Sequence, residues 1–187
     1  IAGEYGLITA EKKDSTGICF IGERHFREFL SNYLPNQHGK IINIETNEVM
    51  GEHVGLMHYT IGQRRGLNVG GTEDRMFVVG KDLDKNVLYV AIGDDNEYLY
   101  SDSCIIDSLV INYEEELKEC SAKFRYRSSD VKVKITKLND DELLVSYDKV
   151  KSVTPGQVCA LYIGDRCIGS GIIKEVRKND EKLWYLL

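Results

Sequence analysis

Short apolar runs alternate with turn-forming residues along the second half of the chain. From residue 76 onwards, stretches rich in Val, Ile, Leu, Phe and Tyr are separated by Asp, Asn, Gly or Pro. Runs of this kind, without a helical period between them, are typical of antiparallel strands. The pattern predicts an antiparallel barrel or sandwich, and we place an antiparallel β-barrel at residues 95–187.

The first half of the chain has a mixed pattern. Apolar residues spaced i, i+3, i+4, i+7 predict a helix over residues 23–34, which Pro35 ends. The apolar positions of this helix are Phe26, Phe29, Leu30 and Tyr33. Residues 40–50 predict a hairpin, so we interpret residues 16–94 as a small central β-rich domain with one or two helices. Residues 1–15 resemble the tail of an element whose body lies upstream.

Two loops carry polar side chains that could bind a ligand. Glycines dominate residues 55–71, which predicts an irregular loop that exposes its backbone and the central Gln63, Arg64 and Arg65. The loop has no lysine followed by Ser or Thr, so it does not predict a phosphate-binding P-loop. Residues 154–157 (TPGQ) predict a type II turn, with Gln157 near the loop tip.

The composition, 42% hydrophobic and 29% charged, is that of an ordinary globular protein. No apolar run approaches the length of a membrane span and no secretory leader is recognisable, so we expect no membrane partner. Five scattered cysteines without a C-x-x-C pair argue against a disulfide framework or a zinc site. The four histidines also lack metal-ligand spacing. We therefore predict a cytoplasmic protein with no metal site.

Positive charge is concentrated in one segment of a chain whose formal net charge is −6. Residues 121–137 contain six basic residues and one acidic residue. If they form strands, Lys123, Arg125 and Arg127 share a face opposite Phe124 and Tyr126, and Lys132 and Lys134 repeat this alternation. Such a basic surface can bind phosphates, while arginine and tyrosine can stack on unpaired bases. The solvated outer face of a barrel has the same pattern, so both interpretations remain open.

Cys19 is a candidate reactive cysteine. A reactive thiol must ionise, which nearby cations favour and apolar burial opposes. Lys12, Lys13, Arg24 and His25 lie within a few residues, but Ile18, Phe20 and Ile21 are its close neighbours. A buried strand cysteine is therefore the alternative. The other cysteines lie in or beside predicted strands and are interpreted as packing residues.

Four motifs give the chain a family resemblance. They are KKDSTGICFIGER (12–24), GLMHYTIGQRRGLNVGG (55–71), KFRYRSSD (123–130) and SVTPGQ (152–157). In this order and spacing they resemble the bacterial tRNA-specific 2-thiouridylases. The resemblance extends over essentially the whole chain, and the first two motifs are long enough to be highly specific.

The resemblance implies a function in tRNA modification. Enzymes of this family place sulfur on the 2-position of the wobble uridine in certain tRNA anticodons. An N-terminal ATP-pyrophosphatase domain, with ATP and magnesium, adenylates the uridine C2 oxygen. The motifs of that domain are absent here, so we interpret the chain as a C-terminal part with residues 1–15 as the domain's remnant and linker. We expect it to need no cofactor of its own and to be inactive alone.

The resemblance also assigns residue roles and partners. Cys19 corresponds to the cysteine that carries the persulfide, while its partner cysteine belongs to the N-terminal domain. By motif match, Arg125, Tyr126 and Gln157 are expected to contact tRNA. We add Lys123, Arg64 and Arg65 from their charge alone. The implied partners are tRNA and a persulfide-donating cysteine desulfurase or sulfur-relay protein.

A non-catalytic RNA-binding or adaptor β-barrel, with a structural Cys19, is the alternative function. Thiol reactivity distinguishes the two hypotheses, because only a persulfide carrier needs an accessible thiolate. A methyltransferase, an old label for this family, would need a methyl-donor pocket, and no segment of the sequence predicts one.

Overall fold

The computed structural model describes residues 3–8, 10–11, 32–67, 69, 75–113, 118–126 and 128–186. The chain divides into two compact units, residues 1–36 and 37–187. The second unit contains all the named strands and is described below. About half of the residues are in strands, and the described part contains no helix of seven or more residues. The mainly β fold class is therefore confirmed.

The first part of this unit is a four-stranded sheet with the order β2-β1-β4-β3. Its strands are β1 (Gly39–Asn43), β2 (Val49–His53), β3 (Met76–Asp82) and β4 (Val87–Ile92). Strands β1 and β2 form the predicted hairpin, while β1 pairs with β4 in parallel. The β1–β2 turn forms because the Asn43 side chain accepts a hydrogen bond from the Glu45 amide at 2.9 Å and Asn47 adopts a positive φ.

The second part is a closed antiparallel barrel of six strands. They are β5 (Tyr100–Ile111), β6 (Glu119–Lys123), β7 (Val131–Lys137), β8 (Leu143–Lys151), β9 (Val158–Ile163) and β10 (Arg166–Lys178). The order is β10-β5-β8-β7-β6-β9, and pairing between β9 and β10 closes the barrel. A short β11 (Glu181–Lys182) extends the sheet beside β10. Closure removes the unpaired edges that an open sheet would expose.

Alternating apolar side chains fill the barrel interior. Cys104, Ile106, Val145 and Leu161 are each fully buried. On β10, a Cβ at Gly169 would lie 2.8 Å from the Val110 carbonyl oxygen. Glycine is therefore required where β10 approaches β5 closely, at the pairing of Gly169 with Ile111.

The C-terminal segment returns to the four-stranded sheet. The Lys81 amide donates to the Tyr185 carbonyl oxygen at 2.8 Å, and Leu186 forms a parallel bridge with Lys81. A Cβ at Gly80 would collide with the Tyr185 carbonyl, so glycine is needed for this close approach. The Tyr185 hydroxyl donates to the Tyr98 carbonyl oxygen at 3.1 Å. The segment thus contacts both β3 and the short 3₁₀ turn (Glu97–Leu99) that precedes the barrel.

One strand prediction is wrong in its extent. Residues 121–127 were predicted as a strand, but β6 ends at Lys123. Most of the predicted helix over residues 23–34 lies outside the described residues, and residues 32–34 form a turn and bend. The domain limits predicted after residues 15 and 94 remain predictions. In the described part of the chain, no helix is long and apolar enough to span a membrane.

Candidate nucleic-acid interface

Arg125 brings three of the sequence motifs together. Its Nη2 group donates hydrogen bonds of 2.9 Å to the Ile61 and Ser152 carbonyl oxygens, and it lies 3.5 Å from the Thr154 hydroxyl oxygen. The residue is exposed overall, yet burial around the guanidinium lowers the pKa of Arg125. An arginine remains charged under such conditions. The guanidinium of Arg125 therefore links the glycine-rich loop to the segment that leads into the TPGQ turn.

The glycine-rich loop is held against β3. The Gly62 amide donates to the Val78 carbonyl oxygen at 2.7 Å, and the Val78 amide donates to the Gln63 carbonyl oxygen at 2.9 Å. The Gln63 side chain accepts from the Thr60 amide at 2.9 Å and donates to the Arg65 carbonyl oxygen at 2.8 Å. The Gln63 side chain therefore stabilises the turn by hydrogen bonds to its backbone, whereas Arg64 and Arg65 are exposed at the tip of the turn.

The TPGQ segment forms the predicted type II turn. Gly156 has a φ of 82°, and the Gln157 amide donates to the Thr154 carbonyl oxygen at 3.3 Å. The Gly156 amide donates to the Ile173 carbonyl oxygen at 2.8 Å, and the Ile173 amide donates to the Gln157 carbonyl oxygen at the same distance. These bonds fix the turn to β10, and Gln157 is exposed.

The alternation predicted for residues 123–127 is met by Lys123, Phe124 and Arg125 but fails at Tyr126, beyond the end of β6 at Lys123. Phe124 is buried, and its ring centroid lies 4.8 Å from that of Tyr147. Arg125 and Tyr126 follow in a bend, and 85% of the Tyr126 surface is exposed. Tyr126 therefore does not point into the barrel. Arg127 lies outside the described residues.

The barrel face beside this bend carries carboxylates close to two of its lysines. The Lys123 amino group lies 3.7 Å from the Asp130 carboxylate and 5.4 Å from the Tyr162 ring centroid. Lys132 and Lys134 point outwards as predicted, while Val133 is buried. Glu119 is the direct cross-strand neighbour of Lys134. The face is consequently less positive than the sequence segment alone indicates.

Lys81 is a further cation of this region, and the sequence alone does not predict its position there. It lies in the apolar strand β3, where nothing in the sequence distinguishes it from an ordinary solvent-facing lysine. In the structure it lines a cleft of about 340 Å³ together with Thr60, Thr154 and Gln157. The cleft thus adjoins the two loops that Arg125 orders. The cleft exists only because segments that are distant in the sequence contact each other.

The described cysteines have packing roles or no assigned role. Cys19, the predicted persulfide carrier, lies outside the described residues. Burial raises the pKa of Cys159 to about 12 and also raises the pKa values of Cys104 and Cys120. Such thiols are poor nucleophiles at neutral pH. Cys167 is exposed on the barrel, and all four described cysteines are free. No cluster of His, Cys, Asp or Glu among the described residues could hold a metal ion.

Comparison with known proteins identifies the class of the two sheets. A model described as "tRNA methyl transferase PRC-barrel domain" matches residues 27–92, and one described as "Aminomethyltransferase beta-barrel domain" matches residues 101–173. The first match includes the four-stranded sheet, and the second covers most of the closed barrel. The chain therefore has the domain pair of a tRNA-modifying enzyme family.

Individual relatives specify that family. The chain is 54% identical to the tRNA-specific 2-thiouridylase MnmA of Mesoplasma florum over 92% of its length, and 53% identical to that of Geobacillus thermodenitrificans over 100% of its length. It is 48% identical to the relative from Mycoplasmopsis synoviae, also over its full length. The chain belongs to the tRNA-specific 2-thiouridylase family. It spans about half the length of these relatives, 48%, 51% and 50% respectively.

Proposed function

We propose that this chain is part of a tRNA-uridine 2-sulfurtransferase, in which Cys19 carries the sulfur and the region around Arg125 binds tRNA. The observation that carries the proposal is the identity of about 50% to 2-thiouridylases along the whole chain. The meeting of three family motifs at Arg125 supports the tRNA-binding part. The activating ATP and magnesium belong, in this proposal, to the part of the relatives that the chain does not match.

The proposed sulfur transfer has three balanced steps. The Cys19 thiolate attacks the outer sulfur of a donor protein's persulfide, which forms the Cys19 persulfide and releases the donor thiolate. The terminal sulfur of Cys19 then attacks the adenylated C2 of uridine, and AMP leaves. Finally, a partner cysteine thiolate attacks the Cys19 sulfur. This forms a disulfide between the cysteines and leaves the second sulfur on the base; an external thiol reductant then restores both cysteines.

The exposed side chains of the interface suit an RNA ligand. Arg64 and Arg65 can contact backbone phosphates without first breaking an ion pair, since no described carboxylate pairs with either. The exposed ring of Tyr126 can stack on an unpaired base. Gln157 offers both donor and acceptor groups beside them. Arg125 acts in this proposal as a positioning residue, because its Nη2 already binds two carbonyl groups.

The sulfur-carrier role is tested by Cys19→Ser in the full-length enzyme that contains this chain. We expect at least a thousandfold loss of 2-thiouridine formation, because serine cannot carry a persulfide. The measurement is the 2-thiouridine content of tRNA after reaction with ATP and a persulfide donor, with mass spectrometry of the persulfide on the enzyme. Cys167→Ser, at an exposed cysteine, is the matched control and keeps activity. Thiolation at the normal rate by the Cys19→Ser enzyme would leave only the non-catalytic RNA-binding hypothesis.

A further inference from the structure

The cleft at Lys81 forms where three segments meet beside Leu186 of the C-terminal segment. Its walls come from the start of the glycine-rich loop, the end of β3 and the TPGQ turn. Its volume of about 340 Å³ is sufficient for one nucleotide-sized group. Leu83, Pro155 and Leu186 contribute apolar walls. The cleft therefore offers both apolar surface and a polar end.

Lys81 is the one charged residue among those that line this cleft. Its backbone is fixed on both sides, since the amide donates to the Tyr185 carbonyl oxygen at 2.8 Å and the residue pairs with Leu88. The side chain therefore extends from a rigid strand. Its desolvation on burial lowers the pKa of Lys81. A partly buried ammonium group gains when an anion approaches it, because little water remains to stabilise its charge.

Seven other lysines of this unit have a carboxylate partner of a kind that Lys81 lacks. Lys85, Lys123, Lys137, Lys149, Lys174, Lys178 and Lys182 each lie within 4 Å of a carboxylate. No carboxylate in the described part of the chain pairs with Lys81, and none lines its cleft. Surface lysines without partners are solvated, but Lys81 is only partly exposed. An external anion can therefore enter the cleft and act as the counter-ion of Lys81.

The neighbouring polar groups indicate which anion fits. The hydroxyl group of Thr60 and the amide of Gln157 lie in the same lining and can donate hydrogen bonds, whereas the Thr154 hydroxyl already donates to the Ser152 carbonyl oxygen at 3.0 Å. The Arg125 Nη2 group lies 3.5 Å from the Thr154 hydroxyl oxygen and adds a second positive charge next to the lining. A phosphate accepts several such bonds at once, and the apolar walls suit the sugar or base attached to it. A phosphate ester thus matches the cleft better than a simple halide or carboxylate.

We propose that the cleft is a phosphate-binding site whose central cation is Lys81. The proposal rests on the proposed function, which supplies the phosphate from the tRNA backbone. Free nucleotides offer the same group, so the experiment separates these two sources. The site adds a fixed anchor to the exposed arginines of the glycine-rich loop. It would hold the RNA backbone at the junction between the four-stranded sheet and the barrel.

The test is Lys81→Met, which keeps the length of the side chain and removes its charge. We expect about fivefold weaker tRNA binding and a decrease of about one in the slope of log Kd against log salt concentration. Lys81→Arg retains the charge and should restore most of the slope. Lys40→Met is the matched control, because Lys40 is exposed on β1 of the same sheet, and it should leave the slope unchanged. Thermal unfolding of each variant confirms that it is folded.

The two phosphate sources are separated by titrating the chain with inorganic phosphate, uridine monophosphate and tRNA, and following the backbone amides of Lys81 and Gln157 by NMR. Amide shifts that Lys81→Met abolishes support the site. If these shifts appear with inorganic phosphate, uridine monophosphate and tRNA, the site accepts free phosphates as well as RNA. If they appear with tRNA alone, the phosphate comes from the tRNA backbone. An unchanged salt slope together with no Lys81-dependent shift would overturn the site. If the wild-type chain binds tRNA normally in that case, the proposed function survives. If it binds no tRNA, the tRNA-binding part of the proposed function fails, and the mononucleotide titration still decides the site.

Discussion

The junction around Arg125 and the outer face of β6 and β7 both carry positive charge, but they use it differently. At the junction, Arg125 binds backbone carbonyl groups and Lys81 has no carboxylate partner among the described residues. On the barrel face, Lys123 lies near Asp130 and Lys134 lies opposite Glu119. A dense run of basic residues is therefore not by itself the strongest candidate for an anion site. The environment of each cation matters more than the number of cations.

Among the changes that test this comparison, the largest loss of stability is expected from Arg125→Ala. The change removes two hydrogen bonds of a charged donor; the Ile61 carbonyl oxygen loses this donor, whereas the Ser152 carbonyl oxygen keeps the hydrogen bond from the Thr154 hydroxyl. We expect the free energy of unfolding to fall by about 2 kcal/mol, with weaker tRNA binding as a consequence of disordered loops. Urea unfolding followed by circular dichroism measures the first effect, and a filter-binding titration measures the second.

Arg166→Ala is the control for Arg125, since Arg166 is exposed at the start of β10 and has no hydrogen-bond or ion-pair role among the described contacts. It should change the stability by less than about 0.5 kcal/mol. Arg125→Lys retains the charge but cannot reproduce the planar guanidinium geometry, so it should recover only part of the stability. Wild-type stability of Arg125→Ala combined with lost tRNA binding would instead make Arg125 a direct contact residue.

The second test compares the two cationic regions directly. The double variant Arg64→Ala with Arg65→Ala removes two exposed charges of the junction, whereas Lys132→Ala with Lys134→Ala removes two from the barrel face. We expect the arginine variant to weaken tRNA binding about tenfold and to lower the salt slope by about two. The lysine variant should have a smaller effect because part of its charge is already neutralised locally.

Both double variants remove the same formal charge, so each is the control for the other. A salt titration of tRNA affinity under identical conditions measures the difference. Equal losses would mean that tRNA responds only to the net charge of the chain. A larger loss of tRNA affinity for the lysine variant would mean that tRNA binds the barrel face instead of the junction.

The sequence predicted the local features of this comparison but not the contacts between its segments. The hairpin at residues 40–50 and the turn at 154–157 depend on neighbouring residues, and both are confirmed. By contrast, Arg125 contacts residues that lie 64 and 27 positions away in the sequence. Alternation placed it on a strand face, although β6 ends at Lys123, two residues before Arg125. Lys81 was missed for the same reason, because its cleft exists only after distant loops assemble.

The smallest expected effect concerns pH and the first sheet. His53 is fully buried; its Nδ1 accepts from the Gly55 amide at 3.2 Å, which leaves Nε2 to donate to the Asn86 carbonyl oxygen at 3.1 Å. Desolvation on burial lowers the pKa of His53 from its ordinary value of about 6.5, and the charges of His38 and Lys81 lower it further. The unfolded chain therefore binds the proton more readily. The contribution to stability is complete above pH 6.5 and decreases as the pH falls through the lowered pKa.

Urea unfolding between pH 7.5 and about pH 5 measures this loss, with His53→Gln as the test variant and His38→Gln as the exposed control. We expect His53→Gln to be less stable at neutral pH and to have a flatter pH dependence. His38→Gln should change the pH dependence only slightly, because the charge of His38 lowers the pKa of His53 less than burial does. The barrel contains no histidine, so a histidine-dependent loss in this pH range has to originate in the first half of the chain. If amide exchange at low pH increases in the four-stranded sheet while the barrel stays protected, the two sheets unfold separately. Simultaneous exchange in both would mean that the junction couples them into one cooperative unit.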